Sequence, residues 1–157
     1  FPDEARRYAP RSRMGPGGTA PVHFASGGWI ASAVDMARFI TAIDGSRPPQ
    51  MRNEATTALM FASPQVAARP KGTHFGMGWD VVQTAGGGLH YWKNGGLLGT
   101  TAWLEHGPNG VDWALLLNAS VGKTEGPDLH HEFVDVIRTA IDATAVWPDV
   151  DLFQEFS

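Results

Sequence analysis

The chain contains no cysteine. That excludes a disulfide framework, a thiolate metal site and a cysteine nucleophile, and it leaves the redox compartment open. Cations are also scarce: 12 Lys and Arg stand against 16 Asp and Glu, a net charge of −4 with a pI near 5.8. A general nucleic-acid or anionic-membrane binder needs a cationic surface, so neither partner is expected. No apolar run approaches the ~20 residues that a membrane helix requires. The sequence opens Phe1-Pro2-Asp3 without methionine, and no charged and apolar regions in succession mark a signal peptide. A processed product, or an excised part of a longer polypeptide, is the expectation. Internal repeats and low-complexity segments are absent as well.

What is present is a turn-rich globular chain. Its 157 residues suffice for one domain, or a large piece of one, without metal or disulfide staples. Glycine and proline supply about 19% of it against a usual ~12%. A hydrophobic content of 43% with 6 Trp excludes disorder.

Residues 1–28 carry Arg6, Arg7, Arg11 and Arg13 beside Asp3 and Glu4 and show no period, so they read as an irregular, solvated arm. A helix is predicted over 31–44, where Met36, Phe39, Ile40 and Ile43 form one apolar stripe. Ser32 with Asp35 resembles a capping box, and Gly45 supplies a stop. A second helix over 52–62 ends at Ser63-Pro64.

From residue 76 the period falls to two. Met77, Trp79 and Val81 predict one strand, 89–94 a second, 99–106 a third and 111–118 a fourth. The run around Leu115–Leu117 suggests that the fourth is covered on both faces. Pro108-Asn109-Gly110 joins the last two as a hairpin. Gly126-Pro127-Asp128 opens a final helix, with Leu129, Phe133, Val136, Ile137, Ala140 and Ile141 on one face. An acidic tail follows, whose Phe153 and Phe156 are expected to dock back. The fold class is α+β, an antiparallel sheet covered by helices.

Chemistry concentrates in Tyr91-Trp92-Lys93-Asn94-Gly95-Gly96. Glycine lets a ligand approach a strand backbone closely, with its N–H as donor. A nearby ammonium can neutralise a carboxylate or favour deprotonation of a hydroxyl. An N–H aimed at a reacting carbonyl oxygen is half of an oxyanion hole. Spacing alone favours a surface lysine before a glycine turn.

Other candidates lack the pattern their chemistry needs. Gly122-Lys123-Thr124 has Leu117 where a phosphate loop places its first glycine. His130-His131-Glu132 has Asp135 where a zincin helix needs histidine, and adjacent histidines face different ways. His23, His74, His90 and His106 lie at no recognisable spacing from a carboxylate, with the first two expected in loops and the others in strands. No metal and no cofactor are expected.

Four segments together carry a family likeness. Ala25-Ser26-Gly27-Gly28-Trp29 through Asp35-Met36-Ala37-Arg38-Phe39, Phe75-Gly76-Met77-Gly78-Trp79, Lys93-Asn94-Gly95-Gly96, and Trp103-Leu104 through Leu115-Leu116-Leu117-Asn118 follow in order. The set resembles the serine β-lactamase and penicillin-binding-protein-like hydrolases, in the class C β-lactamase, esterase and D-aminopeptidase branch. The likeness spans about residues 25 to 143.

The resemblance implies a C-terminal portion of a transpeptidase-like fold over 29–157. It implies that Lys93 places positive charge in an acyl-transfer cleft and that Gly96 lends its N–H to the oxyanion hole. Asn94, where Thr or Ser is common, would hydrogen-bond substrate, and Gly95 would keep the strand clear. The family's Ser-x-x-Lys pair and Tyr-x-Asn motif are expected upstream of Phe1. Ser120-Val121-Gly122-Lys123 fits only formally, in a loop without the helix that holds a lysine base one turn from its serine. The chain alone is therefore expected to lack covalent catalysis. Its partners would be a small-molecule or peptide substrate in the intact parent, and the missing N-terminal portion or a second copy. An extracytoplasmic home fits the family and the lack of cysteine. The alternative is a non-catalytic ligand- or partner-binding module on the same sheet.

Overall fold

A computed structural model describes residues 27–45, 53–64, 72–97, 99–119 and 129–153, with side chains from 131 onward in the last segment. The expected arm over 1–28, Ser120–Lys123, the phosphate-loop-like Gly122–Thr124, His23 and Phe156 lie outside these residues, apart from Gly27 and Gly28.

The order of elements is α1 (Ala33–Asp44), α2 (Glu54–Phe61), β1 (His74–Phe75), β2 (Asp80–Gln83), β3 (Leu89–Leu97), β4 (Thr100–His106), β5 (Asp112–Leu117) and α3 (Leu129–Ala143). The strands form one five-stranded antiparallel sheet in the order β1-β2-β3-β4-β5. Each strand neighbours the next in sequence, which short turns permit only for antiparallel strands. The α+β expectation holds.

The described residues divide into two compact units: those within 33–93 and 104–114, and those within 27–32, 94–103 and 115–153. In the first, Ile40 and Ile43 of α1 and Phe61 of α2 pack with Trp79, Val81, Tyr91 and Leu104. Full burial of such a side chain contributes about 1.5–3 kcal/mol, so Ile40 and Ile43 are what hold α1 in place. Phe39, expected on the same stripe, is 41% exposed. An eight-residue helix such as α2 is marginal alone. Asn53 caps it by accepting from the Thr56 N–H at 2.9 Å, a contribution of about 1 kcal/mol. His74 Nε2–H donates to the Phe61 carbonyl at 2.8 Å, tying β1 to the end of α2.

Of the expected first strand, only the part from Asp80 is a strand. Its alternation runs through a turn: the Gly76 N–H donates to the Trp79 carbonyl at 2.8 Å, Gly78 has φ +90°, and Met77 is exposed. β1 precedes this turn and β2 follows it, so His74 lies in a strand, not a loop. Gly76 sits against α2, where an added Cβ would lie 2.4 Å from the Met60 carbonyl oxygen. Met77 N–H donates to that same carbonyl at 2.8 Å.

In the second unit Val134 of α3 is buried, and Ile137, Arg138 and Ile141 are half-buried. This stripe is rotated from the expected one, since Phe133 and Val136 are exposed. Arg138 explains the rotation: its guanidinium lies 5.7 Å from the centroid of the Trp103 ring, so its long stem occupies part of the covered face. Leu116 of β5 is 37% exposed, so that strand is not covered on both faces along its length.

One polar cluster lies in the first unit. His106 at the end of β4 is hydrogen-bonded through Nδ1 to Asp112 Oδ1 at 2.7 Å, across the turn that joins β4 to β5. Asp44, the last residue of α1, brings Oδ2 to 3.9 Å from the same nitrogen. The His106 ring stacks on Tyr91, with centroids 4.8 Å apart and planes at 13°. Burial pushes the Asp112 carboxyl above its ordinary value of 3.8, the His106 hydrogen bond draws it back, and the charge of Asp44 raises it further.

Two outcomes follow. Gly76→Ala forces the Met60 carbonyl to move and is expected to destabilise the fold by about 1–3 kcal/mol; a urea melt with an unshifted midpoint would contradict this packing. Because the folded chain holds the Asp112 proton more tightly than the unfolded chain, this group's contribution is full below about pH 3.8 and is lost as pH rises through the elevated value. The stability of the native chain relative to Asp112→Asn should therefore fall as pH rises above about 3.8; urea midpoints that rise with pH there would contradict it.

Candidate functional site

β3 carries the segment singled out from sequence. The ladder between β2 and β3 runs from Gln83–Leu89 to Asp80–Trp92 and ends there. Residues 93–97 continue β3 beyond the last β2–β3 pair, Asp80–Trp92. Lys93, Asn94, Gly95 and Gly96 are all exposed, although β3 is the middle strand of five. Four exposed residues in succession are unusual there, because an antiparallel sheet with one solvated face still covers every second residue of a central strand.

The two glycines have no internal cause. Neither Gly95 nor Gly96 has a positive φ. A Cβ on Gly95 would meet the Ala102 Cβ at 3.8 Å, and one on Gly96 the Thr100 carbonyl oxygen at 4.0 Å, both ordinary contacts. Contrast Gly76, which the fold demands. What the missing side chains at 95 and 96 leave is open space along an exposed strand.

Lys93 extends over the ring of Phe75, its Nζ 5.0 Å from the centroid. An ammonium at that distance is attracted by the ring face, by about 0.5–1 kcal/mol at an exposed site. The turn at 76–79 thus brings the Phe75 of one family-like segment to the lysine of another.

Two histidine–carboxylate pairs went unseen in the sequence. His90 Nε2 lies 3.1 Å from Glu105 Oε1, and Glu105 is fully buried. The pair joins neighbouring strands β3 and β4, and the His90 ring lies 4.8 Å from that of Trp92. A buried carboxylate is retained only with partners, and His90 is one of them. The second pair is His106 with Asp112. For that one a signal was available: the hairpin at Pro108-Asn109-Gly110 sets residues 106 and 112 side by side. His131 on α3 is exposed. Among the described residues, Asp44, His106 and Asp112 are the group whose ligand-type atoms all lie within 4.8 Å of one another. No helix among them is long and apolar enough to cross a membrane.

A family model described as Beta-lactamase matches residues 1–131. Among curated proteins, AM-toxin synthetase AMT1 of Alternaria alternata is 27% identical over 132 residues, covering 82% of this chain. The chain spans only 3% of that protein's length. No solved structure gives a significant match. The family match extends over most of the polypeptide and agrees with the order of the four segments and with the sheet described above. The chain belongs to the β-lactamase family.

Proposed function

We propose that this chain forms one wall of the acyl-transfer cleft of a serine hydrolase, with the attacking hydroxyl on polypeptide outside residues 1–157. The observation that carries the reading is the exposed run Lys93–Gly96, which overhangs β2 on a central strand and includes two glycines that the fold does not need.

Each residue then has a role. The Lys93 ammonium supplies positive charge where negative charge develops on substrate, with Phe75 steadying it from below. The Gly96 N–H donates to the oxygen of the tetrahedral intermediate. The Asn94 side chain hydrogen-bonds the substrate, and Gly95 lets the acyl group lie against the strand. Neither backbone donation nor open space asks the strand to move during reaction, which is what makes a preorganised site effective. Residues 29–157 are the C-terminal portion of the domain on this reading. Exposed apolar side chains of the second unit, Trp29, Ile30, Phe133 and Val136, are surface that the remainder of the domain would cover.

The test is acylation by a fluorophosphonate probe. The parent polypeptide, with the coding sequence upstream of Phe1 restored, should label at a serine in a Ser-x-x-Lys helix, and residues 1–157 alone should not label. Lys93→Ala in the parent should slow labelling by roughly a hundredfold, while Lys93→Arg should retain part of the rate. An upstream sequence with no such helix, or labelling indifferent to Lys93→Ala, would overturn the proposal. Ligand binding without labelling would instead favour a non-catalytic module. Residues 1–157 alone should also show concentration-dependent association in sedimentation velocity.

A further inference from the structure

We infer that Asp44, His106 and Asp112 form a binding site for a divalent transition-metal ion of the zinc type, distinct from the exposed run Lys93–Gly96. All three belong to the same compact unit. Each sits at the end of a regular element: Asp44 closes α1, His106 closes β4 and Asp112 opens β5. Their positions are therefore set by backbone hydrogen bonding and not by loop flexibility. The side chains are only 12%, 19% and 8% exposed, respectively.

The donor set suits such an ion. One imidazole nitrogen and two carboxylate oxygens are ligands that zinc accepts, typically as three protein donors with a fourth position left for water. With metal–ligand bonds of about 2.0–2.1 Å, tetrahedral donors are spaced by roughly 3.3 Å. Here His106 Nδ1 lies 2.7 Å from Asp112 and 3.9 Å from Asp44, one a little below that spacing and one a little above. Small side-chain rotations equalise them, with no backbone shift. The stacked Tyr91 ring holds the imidazole plane while they occur.

The charge balance also calls for a cation. Asp44 and Asp112 each bring a carboxylate oxygen within 4.8 Å of the other and of the imidazole nitrogen. Two ionised carboxylates in that position repel. Asp44 also stands at the C-terminus of α1, where the last carbonyls add partial negative charge. A divalent ion offsets both charges, with Nδ1 as a third ligand. Bound there, the ion would clamp the end of α1 to the β4–β5 hairpin, adding stability through linkage.

The experiment uses the full 157-residue chain and two probes. Zn²⁺ titration by calorimetry should show a single saturable site and raise the melting temperature. Co²⁺ should give the intense visible absorption of a four-coordinate site. Asp112→Asn and His106→Gln should each weaken Zn²⁺ roughly tenfold or more, and Asp44→Asn should abolish the metal-dependent rise in melting temperature. Circular dichroism of the metal-free variants keeps loss of binding distinct from loss of fold, and a variant that does not fold is replaced by Asp44→Ser, read the same way. His130→Gln with His131→Gln removes the adjacent helix histidines and should leave affinity unchanged. Absence of saturable binding, or binding lost on removing His130 and His131 but kept in Asp112→Asn and His106→Gln, would overturn the inference. Neither result bears on the fluorophosphonate reaction.

Discussion

The point at which β2 stops pairing with β3 governs the geometry of this molecule. The ladder ends at Asp80–Trp92 because the chain must leave β2 there to make the turn at 76–79. That turn is held on both sides: within itself by Gly76 and Trp79, and against α2 by the Met60 carbonyl. The absence of a side chain at Gly76 lets the two backbones approach. The place where the β2–β3 ladder stops is set by the contact between a helix end and a glycine far from it in sequence.

The same unit spends its aromatic residues on fixing that geometry. Phe61, Trp79 and Tyr91 meet at 4.2–6.4 Å, with edge and tilted packings that favour definite orientations. Tyr91 precedes Trp92 and Lys93 on β3, and successive residues of a strand point to opposite faces. Locking Tyr91 on the covered face therefore dictates how the following residues are presented. His106 on the other side of Tyr91 extends the stack to the polar cluster at the end of α1.

Much of this was legible in the residues. Periodicity gave α1, α2, the last three strands and α3 to within a few positions, because each has a clear apolar repeat bounded by glycine or proline. It failed where two local signals agreed by accident. Met77, Trp79 and Val81 alternate like a strand although a turn intervenes, since alternation records side-chain type and not the hydrogen bonds between chains. Phe39, Phe133 and Val136 continue apolar stripes beyond the surface that their helices bury, and no helical period states how wide the opposing face is. The His90–Glu105 and His106–Asp112 pairs depend on which strands lie side by side. Only the second was recoverable, through its hairpin. Asp44 joins them by tertiary packing alone. The Lys93 segment stood out through family likeness, while its spacing alone favoured an ordinary surface turn.

The overhang has a cost of its own. A length of strand with one side open to pairing is a template on which another molecule can add a strand, the route by which sheet proteins clump. Lys93 opens the overhanging run, and in an in-register parallel pairing between copies it would place two ammonium groups side by side. The positive charge that the proposed cleft would use thereby discourages self-templating, so replacing it with an uncharged residue would favour association along that strand.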